Sequence, residues 1–199
     1  MRVWAITVLS VILAAFEAKA DVSVDLSDNS RSMHAEPRLG NVRLFPAFED
    51  YTFMLFDICY ATEIKCVIFP MMGEVGTAYA YQQNADTMLL IYDRRLSPRI
   101  GYSGASSVIA HEVGHHYCGH LTFRKGISRY NAESEADRFA GFAASRLGIA
   151  LSEIIGTYEK LGIDKGSRTH PPMSRRSLEV SKGYYATSLK EVCPGRDPV

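Results

Sequence analysis

The sequence lacks an excess of charge of either sign, because its 22 Lys and Arg residues are balanced by 22 Asp and Glu residues. This balance gives no electrostatic basis for binding nucleic acid or anionic lipid. Beyond residue 20 the sequence also lacks any apolar run of about 18 residues, the length needed to span a bilayer. It contains no internal repeat and no low-complexity segment. We therefore expect one folded domain with no transmembrane span in the mature chain.

The first 20 residues have the pattern of a secretory signal peptide. Arg2 supplies the short positive region, residues 3–16 form the apolar core, and Ala18-Lys-Ala20 suits a signal peptidase. The core is short for a membrane anchor, although an uncleaved N-terminal anchor stays open as the alternative. No cysteine follows the cleavage site, which argues against a lipoprotein. We expect export across the inner membrane, with the periplasm as the compartment.

Cysteine is scarce, and the spacing of the four residues excludes a four-cysteine zinc site, which requires close pairs. In an exported chain, four cysteines suggest two disulfides, for which three connectivities exist. The pairing that we prefer joins Cys59 to Cys66, which are close in sequence, and Cys118 to Cys193. Cys118 as a catalytic thiol is disfavoured beside the stronger metal signature described next.

Residues 111–115 have the sequence His-Glu-Val-Gly-His. Because positions i and i+4 of a helix lie one above the other, His111 and His115 can direct two imidazoles at one zinc ion. Glu112 projects about 100° round the helix, beside the ligand face, where its carboxylate can accept a proton from water. The preceding run Ala105–Ala110 is small and apolar, which predicts a buried helix. Buried His and Glu side chains are costly unless they are paired or metal-bound.

The third ligand has to come from elsewhere in the chain. In the longer signature His-Glu-x-x-His-x-x-Gly-x-x-His the last two fixed positions are here Cys118 and Leu121, so that version fails. His120 is about 180° round a continuing helix from His111 and cannot reach the same ion. We expect it either to contact a metal ligand without binding the ion itself or to lie at the helix end. His116 also faces away.

The segment Asn131–Phe142 supplies a better candidate. Its small and apolar residues recur at helical spacing, which predicts a helix with one buried stripe. Glu133 and Asp137 share a face of this helix, whereas Glu135 points elsewhere. We predict Glu133 as the third ligand, with Asp137 orienting a ligand histidine or fixing the helix. The alternative is that Glu133 and Glu135 form an ordinary acidic first turn that complements the helix dipole.

Three blocks of sequence, 111–120, 133–142 and 169–176, resemble the signatures of M48-type gluzincin peptidases, and the resemblance spans about residues 105–180. It implies a compact zincin-like domain with His111, His115 and Glu133 as ligands and Glu112 as catalytic base. It also makes His170 and Arg176 candidates near the substrate or its transition state. The alternatives are a helix-entry residue for His170 and a surface salt bridge for Arg176. His170 could instead plug the open zinc position.

The apolar pattern predicts an α+β fold with a small antiparallel sheet and a helical half that carries the site. After the signal peptide we expect a loose lead-in over 21–45, the peptidase domain over 46–185 and a C-terminal tail over 186–199. Helices are predicted over about 46–60, over the segment with His111 and His115, over the segment with Glu133, and over 153–161 and 172–182. Loops are predicted over 94–104 and 162–168. Predicted strands are 65–70, stopped by Pro70, 76–82 and 87–92, with 83–86 as a hairpin turn.

The strand over 76–82 has a candidate function. An exposed edge strand beside the metal can hold a substrate peptide as an added strand, and Ala78, Tyr79 and Ala80 are the residues placed to do so. The alternative is an ordinary hairpin strand of the core.

From these observations we expect an exported zinc-dependent metalloendopeptidase with one Zn²⁺ per chain and polypeptide substrates, serving protein quality control in the cell envelope. Envelope-assembly proteins are the expected partners. Two alternatives stay open: a zinc-retaining, chaperone-like binding module with little proteolysis, and a secreted effector that acts outside the producing cell.

Overall fold

The computed structural model describes residues 22–24, 42–47, 49–84, 87–122, 124, 126–161 and 170–196. The predicted signal peptide, most of the predicted lead-in and the predicted loop 162–168 lie outside these ranges, as do Ala85 and Asp86 of the predicted hairpin turn.

The described residues form five strands and seven helices, which confirms the α+β class. The strands are β1 Val22–Val24, β2 Val42–Pro46, β3 Ile68–Met72, β4 Ala78–Asn84 and β5 Thr87–Tyr92. The helices are α1 Glu49–Ala61, α2 Leu96–Ile100, α3 Tyr102–Tyr117, α4 Arg129–Arg146, α5 Leu151–Lys160, α6 Met173–Tyr184 and α7 Leu189–Val192. None of the helices in these ranges is long and apolar enough to cross a membrane.

The strand order is β1-β2-β3-β5-β4, and the sheet is mixed, whereas we expected it to be antiparallel. β3 and β5 run parallel, with Ile68 opposite Met88, and the other pairs are antiparallel. After β3 the chain passes to the sheet edge as β4, and the β4–β5 hairpin then returns β5 into the gap beside β3. The hairpin was visible in the sequence, but the order of the strands was not.

Two segments that contain proline differ from their predicted structure. β3 continues through Pro70 to Met72. β2 pairs only with Met71 and Met72, so no described strand needs a hydrogen bond from a backbone N–H at position 70, which proline lacks. The predicted loop 94–104 contains α2, in which Pro98 is the third residue. The N–H groups of a first helical turn have no intrahelical partner, so proline costs little there.

The main core lies between the sheet and the helices α1, α3 and α4. Tyr51 of α1 stacks on Tyr92 of β5, with ring centroids 4.0 Å apart, and both rings are buried. Tyr51 also accepts a hydrogen bond at its hydroxyl from the Ser97 N–H. These contacts fix the sheet against the helical half, and α3 passes through the middle of this core.

Both predicted disulfides, Cys59–Cys66 and Cys118–Cys193, are confirmed. The first joins the end of α1 to the segment before β3. The second joins the end of α3 to the residue after α7, so the predicted tail 186–199 is bonded to the helical half. Disulfides are typical of proteins outside the cytoplasm.

Candidate metal centre

The two histidines of the His-Glu-Val-Gly-His motif lie on α3, which is buried from Gly104 to His116. One helical turn separates them, so their imidazoles share a face. The Nε2 atoms of His111 and His115 are 3.2 Å apart, and both side chains are almost fully buried.

Glu133 comes to the same place from α4. This helix begins after Ser128, whose side-chain oxygen accepts a hydrogen bond from the Asn131 N–H and caps the helix. Glu133 follows in the next turn, completely buried, with Oε2 3.4 Å from His111 Nε2 and Oε1 3.6 Å from His115 Nε2.

These separations fit one metal ion. Three N or O ligands bound at about 2.0–2.2 Å to a tetrahedral ion lie about 3.3–3.6 Å from one another. The two Nε2 atoms are 3.2 Å apart, and each faces a different oxygen of the Glu133 carboxylate, Oε2 at 3.4 Å and Oε1 at 3.6 Å. His111, His115 and Glu133, which we call the His–His–Glu cluster, could therefore hold a metal ion.

His111 is held at its other ring nitrogen by a buried ion pair. Its Nδ1 lies 2.9 Å from Asp137 Oδ1. Arg176 donates to that carboxylate from Nη2 at 2.6 Å and from Nε at 3.0 Å. The Tyr158 hydroxyl donates to Oδ1 at 3.2 Å, and the Arg176 guanidinium lies 4.2 Å from the centre of the Tyr158 ring. These contacts fix the orientation of the His111 ring.

The charges around His111 favour a cation. Burial raises the pKa of Asp137, but Arg176 and His111 lower it by more, so its pKa falls below the usual range. Burial lowers the pKa of His111, whereas Asp137 and Glu133 raise it, to a net value of about 10. With a carboxylate at each ring nitrogen, this imidazole attracts either a proton or a metal ion.

Arg176 lies beside Asp137, with its side chain almost fully buried. It contacts Asp137 on the Nδ1 side of His111, whereas Glu133 and His115 face the Nε2 atom of that ring. Its side chain is only 4% exposed, so its ion pair with Asp137 is buried and is not the surface salt bridge of the alternative. Arg176 points inward because α6 packs against α4. The buried Asp137 carboxylate on α4 compensates the charge of the arginine.

His115 is supported by a different chain of contacts. Its Nδ1 lies 2.9 Å from His120 Nδ1, and His120 Nε2 lies 3.0 Å from Glu135 Oε2, to which Arg124 also donates. If His115 Nε2 binds a metal ion, Nδ1 carries the proton and donates it to His120. The proton of His120 then lies on Nε2 and is donated to Glu135. Burial lowers the pKa of His120, in agreement with a neutral ring.

His120, expected either to contact a metal ligand or to lie at the helix end, contacts His115, whereas sequence reasoning missed Glu135, Arg124 and Tyr158. His120 does not continue the helix, because α3 ends at Tyr117 and Gly119 has a positive φ of 74° that turns the chain back. Burial raises the pKa of Glu135, but His120 and Arg124 lower it by more, so Glu135 is ionised. The glycine just before His120 was the one signal in the sequence.

Glu112 lies against the sheet edge. Its Oε2 accepts a hydrogen bond from the Ala80 N–H at 2.7 Å. β4 is the last strand in the sheet order. The Thr77 carbonyl faces the β5 side, because it accepts a hydrogen bond from the Asp93 N–H. Since backbone groups alternate in direction along a strand, those of Ala78 and Ala80 face away from β5. Burial and the Glu112 charge raise the pKa of the Tyr79 hydroxyl. Of the three residues predicted for the edge strand, Ala80 therefore contacts Glu112 and Tyr79 lies within reach of its charge.

His116, one turn beyond Glu112, lies outside the His–His–Glu cluster. Its Nε2 donates to the Leu89 carbonyl at 2.9 Å, which ties α3 to β5. Burial lowers the pKa of His116 to about 4, so the ring is neutral.

His170 lies beside the cluster, with its Nε2 3.5 Å from Glu133 Oε2. Its side chain is 32% exposed, whereas those of the three cluster residues are 5% exposed or less. It is therefore on the side of the cluster that solvent reaches.

No family model, curated protein or solved structure matches this chain, so the resemblance to M48-type peptidases stays a prediction.

Proposed function

We propose that the chain is an exported zinc metalloendopeptidase similar to the M48-type gluzincins. The observation that carries the proposal is the buried cluster of His111, His115 and Glu133, whose ligand atoms lie close enough to share one ion, with Glu112 next to His111 on α3. Two imidazoles, one carboxylate and an open fourth position are the ligand set of catalytic zinc sites.

The proposed reaction is hydrolysis of a peptide bond. A zinc ion would supply a Lewis acid that polarises the scissile carbonyl and makes water more acidic. Glu112 accepts the proton of the attacking water and returns it to the leaving amine nitrogen. The Ala80 N–H fixes this carboxylate at Oε2, so its position does not depend on the substrate.

The outer edge of β4 is the proposed place for the substrate backbone. An extended peptide beside β4 would form main-chain hydrogen bonds with groups such as those of Ala78, and its scissile bond would then lie near Glu112. Main-chain recognition tolerates many sequences, which suits polypeptide substrates in general. His170, on the solvent side of Glu133, is the proposed donor to the developing oxyanion.

The proposed compartment is the periplasm. The signal-like residues 1–20 and the two disulfides support export. A peptidase with little sequence preference in that compartment would fit envelope protein quality control.

Replacement of Glu112 by glutamine is the direct test. Glu112→Gln should retain one zinc per chain, measured by elemental analysis, and should lose activity on a denatured protein by about 10²–10⁴-fold, because an amide cannot accept the proton. His115→Ala should instead lose most of the zinc.

Glu153→Gln is the matched control, since it makes the same change on the exposed first turn of α5 and should alter neither zinc content nor activity. Unchanged proteolysis in Glu112→Gln would reject the assignment of the base and favour a zinc-binding module without catalysis.

A further inference from the structure

A second group of metal-ligating side chains lies behind the His–His–Glu cluster. Cys118, His120 and Glu135 are all buried, and one ligand atom from each lies within 4.8 Å of the others. Cys193 belongs to the same group, because its sulfur is bonded to that of Cys118. We call these four residues the rear cluster. In the disulfide form neither sulfur is a thiolate, which is the form of cysteine that binds metals.

We propose that reduction of the Cys118–Cys193 disulfide converts the rear cluster into a second metal site that takes Zn²⁺. A dithiol reductant supplies two electrons and two protons, the S–S bond becomes two thiols, and the dithiol becomes a disulfide. Zinc then displaces the two thiol protons and binds Cys118, Cys193, His120 and Glu135. This proposal concerns metal binding alone and does not rest on peptidase activity.

The backbone already has the required geometry. The Cα atoms of Cys118 and Cys193 are 5.5 Å apart. Two thiolates bound to tetrahedral zinc at about 2.3 Å are about 3.8 Å apart, which two side chains can reach by rotation at that Cα separation. His120 Nε2 and Glu135 Oε2, 3.0 Å apart, supply the other two donors. Two sulfurs, one imidazole and one carboxylate form a closed zinc-type set.

The charges around the rear cluster also suit this site. Two thiolates and one carboxylate bring three negative charges to a divalent ion. Arg124 pairs with Glu135, and Arg138 Nη2 lies 3.9 Å from Glu135 Oε1. These two basic side chains offset the one negative charge that the divalent ion leaves uncompensated. Cys118 and Cys193 are themselves buried, and the residues that follow Cys193, at 194 and 195, are exposed.

A metal ion in the rear cluster would lower the affinity of the His–His–Glu cluster for its own ion. When His120 Nε2 binds a metal ion, the proton of this neutral ring moves to Nδ1, which faces His115 Nδ1 at 2.9 Å. Two N–H groups cannot hydrogen bond to each other, so His115 loses its support. The rear cluster and the His–His–Glu cluster are therefore coupled negatively.

Cobalt binding tests the proposal, because thiolate ligands give Co²⁺ a near-ultraviolet charge-transfer absorption that His and Glu ligands lack. A Cys59→Ser/Cys66→Ser variant leaves Cys118 and Cys193 as the remaining cysteines. Oxidised, this variant should bind about one Co²⁺ without the thiolate absorption. After treatment with a dithiol and its anaerobic removal, it should bind about one more, with the absorption. One equivalent without the absorption in both states would reject the proposal.

Two further variants make the outcome decisive. His120→Ala keeps both thiols and should lower the affinity of the reduced protein for the second Co²⁺ by at least about 10-fold, as expected for a lost ligand. An undiminished affinity would exclude His120 as a ligand. Cys193→Ser frees the Cys118 thiol without reduction, and it should show thiolate absorption with Co²⁺ in the folded, unreduced protein. Absence of the absorption in that variant also contradicts the proposal.

Discussion

His111 and His115 hold the same kind of position on α3 but are supported by chemically different partners. Asp137, an ionised carboxylate backed by Arg176, faces Nδ1 of His111. A neutral imidazole, that of His120, faces Nδ1 of His115. A carboxylate makes a ligand histidine more electron-rich than an imidazole does. The metal would therefore be held by two unequal histidines, and the sequence did not reveal that His120 is the partner of His115.

His120→Ala tests whether this contact matters for the first site. The substitution removes the acceptor for His115 Nδ1–H, so zinc affinity of the oxidised protein should fall by about 10–100-fold, the usual effect of losing such a partner. Competition with a fluorescent zinc chelator measures the affinity. His116→Ala is the matched control, because it removes another buried histidine of the same region that contacts Leu89, and it should retain wild-type affinity. Equal losses in both variants would contradict the assignment.

His170→Ala distinguishes two roles for a residue that lies 3.5 Å from Glu133. If His170 stabilises the oxyanion, activity on an unstructured substrate should fall by about 10²-fold or more, with zinc content unchanged. If the imidazole plugs the open position instead, its removal should raise activity. We expect the fall, because the ring is partly exposed on the side from which a substrate would approach. A rise in activity would establish the plug.

At the scale of elements, the sequence predicted well what depends on local spacing. The one-turn separation of His111 and His115 and the shared face of Glu133 and Asp137 follow from helical geometry alone, and α3 and α4 present these residues as expected. The position of Arg176 depended on how α6 packs against α4, and the parallel pairing of β3 with β5 depended on strand order. Both features depend on contacts between segments that are distant in the sequence, and local sequence patterns do not determine such contacts.

The packing of α6 against α4 relies on two glycines. A Cβ at Gly183 would lie 1.8 Å from the Arg138 carbonyl oxygen, and a Cβ at Gly141 would lie 2.0 Å from the Val180 carbonyl oxygen. Side chains there would force the two helices apart. Since Asp137 lies on α4 and Arg176 on α6, the support of His111 depends on this close approach.

Gly183→Ala should therefore lower the free energy of unfolding by about 1–3 kcal/mol or more, as in overpacked cores, and should weaken zinc binding. Urea denaturation and zinc titration measure the two effects. Gly156→Ala in α5 is the control, because no atom outside its own helix backbone lies within 4 Å of the added Cβ. It should be neutral or stabilising by up to about 1 kcal/mol. Equal stability of both variants would show that α4 and α6 tolerate separation.

At the scale of the whole molecule, the two disulfides constrain the chain over very different lengths. Cys59–Cys66 closes a separation of 7 residues, and Cys118–Cys193 closes a separation of 75 residues that contains α4, α5, α6 and α7. The second bond therefore fixes the C-terminal segment to the end of the helix that carries His111 and His115. Both Cys118 and Cys193 are fully buried, so the bond is part of the packed interior.

The stabilisation by each disulfide should follow the length of chain that it closes. The chain-entropy model gives about 4.5 kcal/mol for a 75-residue separation and about 2.4 kcal/mol for a 7-residue separation. Cys118→Ser/Cys193→Ser should thus lose about 2 kcal/mol more unfolding free energy than Cys59→Ser/Cys66→Ser, each measured by urea denaturation with the other bond intact. Cys59, Cys118 and Cys193 are buried and Cys66 is partly buried, so the polar change is similar in the two variants except for a smaller cost at position 66. Equal losses would mean that local packing at each bond, rather than restriction of the unfolded chain, determines what the disulfides contribute.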